Sequence, residues 1–134
     1  MGVKVLASIG TEKYHTEVTA GENKIITDEP LDKGGQNKGL NPFELLAASL
    51  ATCTAATLRM YIDRKGWVVP KIDVEVEMDN YPQTKNTIFT RKISYAKTVL
   101  EKDQLNRLHH IADACPVHKM LQGSMEINTT FFEL

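Results

Sequence analysis

The longest uncharged run in the chain extends from Leu45 to Leu58 and consists only of apolar, small and hydroxyl-bearing residues. A helix without a polar face is expected to be buried on all sides. Asn41 and Pro42 precede this run as a favourable N-cap and first helical residue. The pattern therefore predicts a buried helix that starts at Asn41 and reaches about Lys65, and its full burial suggests help from a second subunit.

Alternation of apolar and polar residues indicates strands in other parts of the chain. Ile72, Val74, Val76 and Met78 alternate with acidic residues, which is the pattern of a half-buried strand. Shorter stretches with strand-forming residues, separated by turn residues, predict five further strands. These lie at residues 3–10, 14–20, 23–30, 86–99 and 124–134.

Two shorter helices are predicted in the C-terminal third. Leu105, Leu108 and Ile111 recur at helical spacing with charges opposite, which indicates an amphipathic surface helix. Residues 115–123 predict one more short helical turn. Residues 28–42 form a loop by composition, with three Gly and two Pro, and its glycines are interpreted as turn formers. Together the elements predict an α+β fold with antiparallel strands.

Length and charge narrow the class of protein. The chain has 134 residues, which predicts a single domain over residues 1–134. Its net charge is -1 and no basic stripe is present, so neither nucleic acid nor a membrane is expected as a partner. The N-terminal apolar stretch is short and interrupted by Lys4, which argues against a signal peptide. The uncharged run falls short of the ~18 residues of a membrane span, and a cytoplasmic location is expected.

The two cysteines, Cys53 and Cys115, are the candidate reactive residues. Cys115 precedes Pro116 and is an N-cap candidate, where the helix dipole lowers the pKa of a thiol. Cys53 lies in the middle of the apolar helix, where desolvation raises the pKa, so it needs an outside cation to be a nucleophile. From spacing alone, redox chemistry and simple packing of two buried thiols both stay open.

Other chemistry is not indicated. His109, His110, Cys115 and His118 do not match a standard zinc spacing, and histidines exposed to solvent or at the core edge are the simpler interpretation. The glycine-rich loop lacks the Lys-Ser/Thr pair of a nucleotide-binding loop. No cofactor and no metal are therefore expected.

Two motifs together resemble the OsmC/Ohr family of organic-hydroperoxide-reducing proteins. The first is the glycine-rich loop that leads into "ELLAASLATC", ending at Cys53, and the second is "CPVH", which begins at Cys115. Between them the order of elements also agrees with the family, so that the resemblance extends over nearly the whole chain. Because it departs from the pattern of the family's peroxide reductases at two positions given below, the sequence is similar to a less-characterised branch of the family.

The resemblance implies an intertwined homodimer with antiparallel sheets around a long buried central helix. It also implies that Cys53 is the peroxidatic cysteine and Cys115 the resolving one. The implied enzyme is a cysteine-based peroxidase that reduces organic hydroperoxides, passes through a disulfide, and is reduced again by an external thiol or dithiol.

Two positions depart from the family's pattern. The family's peroxide reductases use an arginine from the N-terminal strands and a glutamate ten residues before the first cysteine. Here no arginine precedes Arg59, Phe43 occupies the glutamate position, and Glu44 follows one residue later. Lys13 stands where the arginine is expected, and we assign to it the role of supporting the thiolate.

Two other functions fit the same residues. One is a non-catalytic protein of the same fold that binds an apolar small molecule in the dimer pocket. The other is a slow redox sensor. Lys13 is the feature that separates an enzyme from a carrier, because without a cation Cys53 should stay protonated.

Overall fold

The structure, a computed structural model, describes residues 2–96 and 100–132. It contains five strands and three α-helices in these ranges, with two antiparallel sheets, and the predicted α+β class is confirmed. The elements, in chain order, are β1 (Leu6–Ile9), β2 (Thr16–Ala20), β3 (Asn23–Thr27), α1 (Pro42–Lys65), β4 (Lys71–Tyr81), β5 (Asn86–Ala96), α2 (Lys102–Asp113) and α3 (Pro116–Leu121).

The chain forms two compact units. The first consists of the residues up to Ala48 together with Glu77–Thr90, and the second of Ser49–Val76 together with the residues from Arg91 onward. Helix α1 and strands β4 and β5 each contribute residues to both units. The single domain predicted for residues 1–134 stays a prediction.

The first unit contains a three-stranded sheet in the order β1-β2-β3. Both pairs are antiparallel, with Leu6 opposite Thr19 in the first and Thr16 opposite Thr27 in the second. The turn between β2 and β3 contains Gly21, whose φ of 63° lies in the left-handed region that glycine adopts without steric cost. These strands fall within the first three predicted strand segments.

The loop after β3 is organised around the buried carboxylate of Asp28. This carboxylate accepts hydrogen bonds from the backbone N–H groups of Tyr14, Glu29, Gln36 and Lys38, at 2.8 to 3.3 Å. Burial of Asp28 acts to raise the pKa of its carboxyl, but the four donors outweigh burial and hold the pKa below its ordinary value. One side chain therefore fixes the path of the backbone from Glu29 to Lys38.

Glycines allow this loop to pass close to β3. A Cβ atom at Gly35 would collide with the carbonyl oxygen of Glu29, and one at Gly39 would collide with that of Ile26. Gly34 has a φ of 89° and closes the short 3-10 turn before it. The interpretation of these glycines as turn formers is confirmed.

Helix α1 begins with the predicted cap. The Asn41 side chain accepts a hydrogen bond from the Glu44 N–H at 2.8 Å, and the Glu44 carboxylate accepts one from the Asn41 N–H at 2.9 Å. This reciprocal pair satisfies two donors that a helix N-terminus leaves open. The helix ends at Lys65, followed by Gly66 with a φ of 72°.

Within one chain, α1 is buried along a stripe and not on all sides. The buried positions recur once per helical turn and are Leu50, Thr54, Leu58 and the adjacent pair Tyr61 and Ile62. Burial on all sides is thus not reached in a single chain, and the second subunit that would complete it stays a prediction. By length and composition α1 could cross a membrane, but it provides half of the buried residues in the core of the second unit, as a core helix does.

The core of the second unit is built mainly from α1 and α2. It consists of buried side chains from these helices and the segment after α1, namely Leu58, Tyr61, Ile62, Val69, Leu108 and Ala112. Helix α2 begins with a capping box between Glu101 and Gln104. The amphipathic helix predicted for this region is confirmed.

The strand predicted over residues 124–134 is wrong for the residues that the structure describes. Residues 124–132 form neither strand nor helix, and Ile127 and Phe131 are about nine-tenths exposed. A strand needs a hydrogen-bonded neighbour, and alternation alone does not supply one. Residues 133 and 134, and residues 97–99 at the end of the predicted strand 86–99, lie outside the described residues.

Candidate redox site

The structure brings Cys53 and Cys115 together within the second unit. Cys53 lies on α1 and Cys115 is the N-cap residue of α3, and their side chains are hydrogen-bonded to each other as free thiols. Cys115 is completely buried, whereas Cys53 is partly exposed. A molecule arriving from solvent therefore meets the sulfur of Cys53 first.

A break between two helices positions Cys115. Its N–H donates to the Ala112 carbonyl at 3.3 Å, and its carbonyl accepts from the Lys119 N–H at 3.2 Å. Pro116 occupies the first turn of α3, where its missing N–H costs nothing. The chain thus changes helix axis at the cysteine, and the N-cap position predicted from the sequence is confirmed.

The surroundings of Cys53 disfavour its thiolate. Desolvation raises the pKa of the Cys53 thiol, and its hydrogen bond to Cys115 raises the pKa further. The backbone N–H of Val117 and the hydroxyl of Thr57 act in the opposite direction but do not outweigh the first two effects. The direction predicted from the apolar helix is confirmed.

The surroundings of Cys115 favour its thiolate. Burial acts to raise the pKa of Cys115, but hydrogen bonds from the Cys53 thiol, the His118 N–H and the Thr54 hydroxyl outweigh burial and lower the pKa. Cys53 therefore donates the hydrogen in the bond between the two sulfurs. Within the pair, deprotonation is thus favoured at the buried Cys115.

A third residue, Arg91, joins the elements around the thiols. Its guanidinium donates to the Thr54 hydroxyl at 2.9 Å, to the Asp113 carboxylate at 2.9 Å and to Nδ1 of His118 at 3.1 Å. Only 13% of the Arg91 side chain is exposed, against 53% for Asp113. This strand residue thus provides a largely buried positive charge beside the residue that follows Cys53.

Arg91 is not among the residues predicted for the site, although the sequence contains one signal for it. In β5 the less exposed positions alternate, and Arg91 is in phase with Phe89, Ile93 and Tyr95. A charged residue in phase with apolar ones in a half-buried strand is placed on the inner face. Such a residue is expected to have a buried partner.

Thr54 lies between Arg91 and the buried sulfur. It is fully buried, its hydroxyl oxygen accepts from Arg91, and the hydroxyl donates to the carbonyl oxygen of Leu50 at 2.7 Å. Cys115 is a second acceptor within reach of the same hydroxyl hydrogen. Thr54 was interpreted from the sequence only as one of the small residues of the helix.

The remaining predicted site residue, Lys13, belongs to the first unit, where its side chain is exposed. Its role beside a thiolate stays a prediction. The carboxylate of Glu44, the acidic residue nearest to the family's glutamate position, is occupied in the cap of α1.

No group of three or more His, Cys, Asp and Glu side chains that could hold a metal occurs in the described residues, 2–96 and 100–132. His118, which belonged to the histidine group considered from the sequence, directs Nδ1 toward Arg91. Since a guanidinium only donates, this nitrogen is the acceptor of that hydrogen bond.

Comparison with known proteins shows that the fold is shared. The chain is 27% identical over 108 residues to the uncharacterized protein YmaD of Bacillus subtilis (strain 168), which covers 73% of this chain and 71% of YmaD. The structure of an OsmC-like protein from Mycoplasma pneumoniae matches with a TM-score of 0.72 at 18% identity, over 92% of this chain and 89% of that one.

Another structural match is the organic hydroperoxide resistance protein OhrB of Bacillus subtilis. Its TM-score is 0.60 at 20% identity, and the match covers 92% of each chain. A family model described as OsmC-like protein matches residues 35–130, which include both cysteines and Arg91. The chain therefore belongs to the OsmC-like protein family.

Proposed function

We propose that the protein is a thiol-dependent peroxidase that reduces organic hydroperoxides through Cys53 and Cys115. The observation that supports this function best is the hydrogen-bonded contact between a partly exposed thiol and a buried one. A thiol that reacts with peroxide needs access to the solvent, and a resolving thiol needs only access to the first sulfur. The two cysteines meet these different requirements.

The reaction balances with these two residues and one external reductant. Cys53 loses its proton as its sulfur attacks the terminal oxygen of the hydroperoxide, the O–O bond breaks, and the alkoxide leaves as an alcohol after taking one proton. Cys53 becomes a sulfenic acid. The Cys115 thiolate then attacks the Cys53 sulfur, a disulfide forms, and hydroxide leaves as water with a second proton. An external thiol or dithiol returns the disulfide to two thiols.

The choice of an organic hydroperoxide follows from the helix that carries Cys53. Its neighbours on α1 are apolar, small or hydroxyl-bearing, and such a surface favours an alkyl substrate over hydrogen peroxide. Names of structural relatives as organic hydroperoxide resistance proteins agree with this choice. The proposal includes a homodimer, a cytoplasmic location and a supporting role for Lys13.

Two measurements test the function. One equivalent of cumene hydroperoxide added to the reduced protein should give an intramolecular disulfide, seen by intact mass as a loss of two hydrogens. Stopped-flow oxidation should be faster with cumene hydroperoxide than with hydrogen peroxide. If both thiols stay reduced under an excess of cumene hydroperoxide, the protein is not a peroxidase.

A carrier function is the second candidate, and one feature of the first unit favours it. This unit contains a cavity of about 580 Å³ whose walls include Ile9, Tyr14, Pro30, Pro42 and Phe43. Polar side chains also line this cavity, namely those of Thr16, Thr27, Asp28, Glu29, Lys33 and Asn41. Its apolar wall residues offer a contact surface for a small apolar ligand. Calorimetric binding of a fatty acid to a Cys53→Ser, Cys115→Ser variant, with no thiol oxidation in the wild type, would favour the carrier.

A slow redox sensor would instead oxidise without sustained turnover.

A further inference from the structure

We propose that Arg91 and Thr54 are positioning residues that keep Cys115 as the thiolate of the resting thiol pair. Cys115 then accepts the proton of Cys53 when Cys53 attacks a hydroperoxide. This inference deepens the proposed peroxidase function and rests on it for the catalytic step. The effect of Arg91 and Thr54 on the ionisation of Cys115, however, can be measured without any hydroperoxide.

The positive charge of Arg91 is largely buried. The Arg91 side chain is 13% exposed, and Asp113, the carboxylate paired with it, is about half exposed. Asp113 and His118 both contact the Nη2 nitrogen, while Nη1 donates to Thr54. Arg91 directs one of its donors at the neutral, fully buried hydroxyl of Thr54. A cation in an environment of low dielectric acts strongly on such a neighbour.

The Thr54 hydroxyl has a single hydrogen to donate. This hydrogen has two acceptors in reach, the Leu50 carbonyl at 2.7 Å and the sulfur of Cys115. The oxygen already accepts from Arg91, and a hydroxyl that accepts from a cation becomes a stronger donor. A negatively charged sulfur competes for this hydrogen better than a neutral thiol does. The chain from Arg91 through Thr54 thus favours charge on Cys115.

The contact between the two thiols gives the proton of Cys53 a path to Cys115. Cys53 donates a hydrogen bond to Cys115, so the acceptor of its proton is already in contact with it. When the Cys53 sulfur attacks the hydroperoxide, this proton moves to Cys115 and from there to the departing alkoxide. Cys115 is again a thiolate at that moment, ready to attack the sulfenic acid. The atoms and charges of the step described above are unchanged.

The test compares two variants of Thr54 that differ in one group. Thr54→Val keeps the shape of the side chain and removes the hydroxyl, whereas Thr54→Ser keeps the hydroxyl. Both are made with Cys53→Ser, which leaves Cys115 as the only thiol of the full chain. Thiolate absorbance at 240 nm is then recorded against pH. The titration midpoint of Thr54→Val should lie about one pH unit or more above that of Thr54→Ser.

A second pair of variants covers a failure of Thr54→Val to fold. Arg91→Met should raise the same midpoint by a similar amount and Arg91→Lys by less, because lysine keeps the charge. Arg59→Met is the matched control, since Arg59 belongs to the same unit and bonds to Asp63 and the Val69 carbonyl. It should leave the midpoint unchanged.

Equal midpoints in Thr54→Val and Thr54→Ser would overturn the proposal, as would a midpoint of Arg91→Met that equals that of Arg59→Met. These outcomes are separate from a failure of the peroxidase function. If the wild type does not react with hydroperoxide but the variants show the expected shifts, the effect of Arg91 and Thr54 on Cys115 stands and only its catalytic use is excluded.

Discussion

Cys53 and Cys115 are chemically identical side chains whose surroundings move their pKa values in opposite directions. Burial alone raises the pKa of both, so burial does not separate them. Hydrogen bonds do, because Cys115 accepts from the Cys53 thiol, from a hydroxyl and from two backbone N–H groups. The thiol whose pKa is lowered is thus the one that solvent does not reach.

Replacing Cys115 by serine should separate the two steps of the reaction. The Cys115→Ser variant should stop at a sulfenic acid on Cys53, because no second sulfur is present to form a disulfide. Dimedone should then label Cys53 stoichiometrically. With excess cumene hydroperoxide the variant should gain two or three oxygens by intact mass, while the wild type should not.

The matching variant is Cys53→Ser, in which Cys115 should stay unmodified under the same peroxide because it is fully buried. Faster oxidation of Cys115 in Cys53→Ser than of Cys53 in Cys115→Ser would reverse the assigned roles. Peptide mapping after alkylation distinguishes the two results.

The chemistry of single residues was predictable only where it depended on their chain neighbours. Pro116 next to Cys115 indicated a helix N-terminus, and the apolar run around Cys53 indicated desolvation. The position of Arg91 depends instead on which strand packs on α1, and this is set by tertiary structure. No local pattern links residue 91 to residue 54, although the alternation in β5 shows that Arg91 faces inward.

At the scale of elements, the loop after β3 depends on one ionised carboxylate. Asp28→Asn keeps the shape but leaves one acceptor oxygen for four N–H donors. The melting temperature at pH 7 should fall by roughly 4 °C or more. Differential scanning calorimetry of the reduced protein measures the change.

The pH dependence gives the sign of this effect. The folded-state pKa of Asp28 lies below its ordinary value of 3.8. Its contribution to stability is therefore complete above that value and is lost as the pH falls through it toward the folded-state pKa. The difference in melting temperature between wild type and Asp28→Asn should shrink below about pH 4. A difference that stays constant down to pH 3 would contradict the role of the charge.

Gly35 offers a steric test of the same loop. In Gly35→Ala the new Cβ would overlap the carbonyl oxygen of Glu29, and backbone rather than a flexible side chain would have to move. The free energy of unfolding should fall by about 1–3 kcal/mol in urea denaturation. Gly10→Ala is the control, because a Cβ at Gly10 meets nothing within 4 Å, and its effect should stay within about 0.5 kcal/mol.

Among the elements, helices were predicted more accurately than strands. The start of α1 follows from the reciprocal bonds of Asn41 and Glu44, which are local. The strand predicted over residues 124–134 had alternation but needed a partner, and pairing is not a local property. Strands β4 and β5 were predicted from alternation and strand-forming residues, and the prediction succeeded because a short turn makes each the neighbour of the other.

At the scale of the molecule, one chain leaves much apolar surface uncovered. Met60 on α1 is 70% exposed, Val68 is 80% exposed and Phe131 is 91% exposed. Large side chains of this kind in number indicate an interaction surface. We expect light scattering at micromolar concentration to give about twice the 15.0 kDa of one chain. A stable folded monomer would contradict the homodimer.

The family was predictable from two short motifs, whereas the assembly of the molecule was not. The order of elements follows from patterns along the chain, and the motifs that end at Cys53 and begin at Cys115 occur in that order. The division of α1, β4 and β5 between two compact units had no counterpart in the pattern of residues. It depends on contacts between distant segments, which a pattern along one segment does not report.

Because the two sulfurs are in contact, the melting temperature of the protein should show whether the thiols have been oxidised to a disulfide. A disulfide between Cys53 and Cys115 would join residues 62 positions apart, and closing a loop of this length restricts the unfolded chain by about 4 kcal/mol. The oxidised protein should thus melt roughly 10 °C above the reduced one. Cys115→Ser, treated in the same way, should show no such rise. A melting curve can then give the fraction of the protein that a hydroperoxide has oxidised and that the external thiol has not yet reduced.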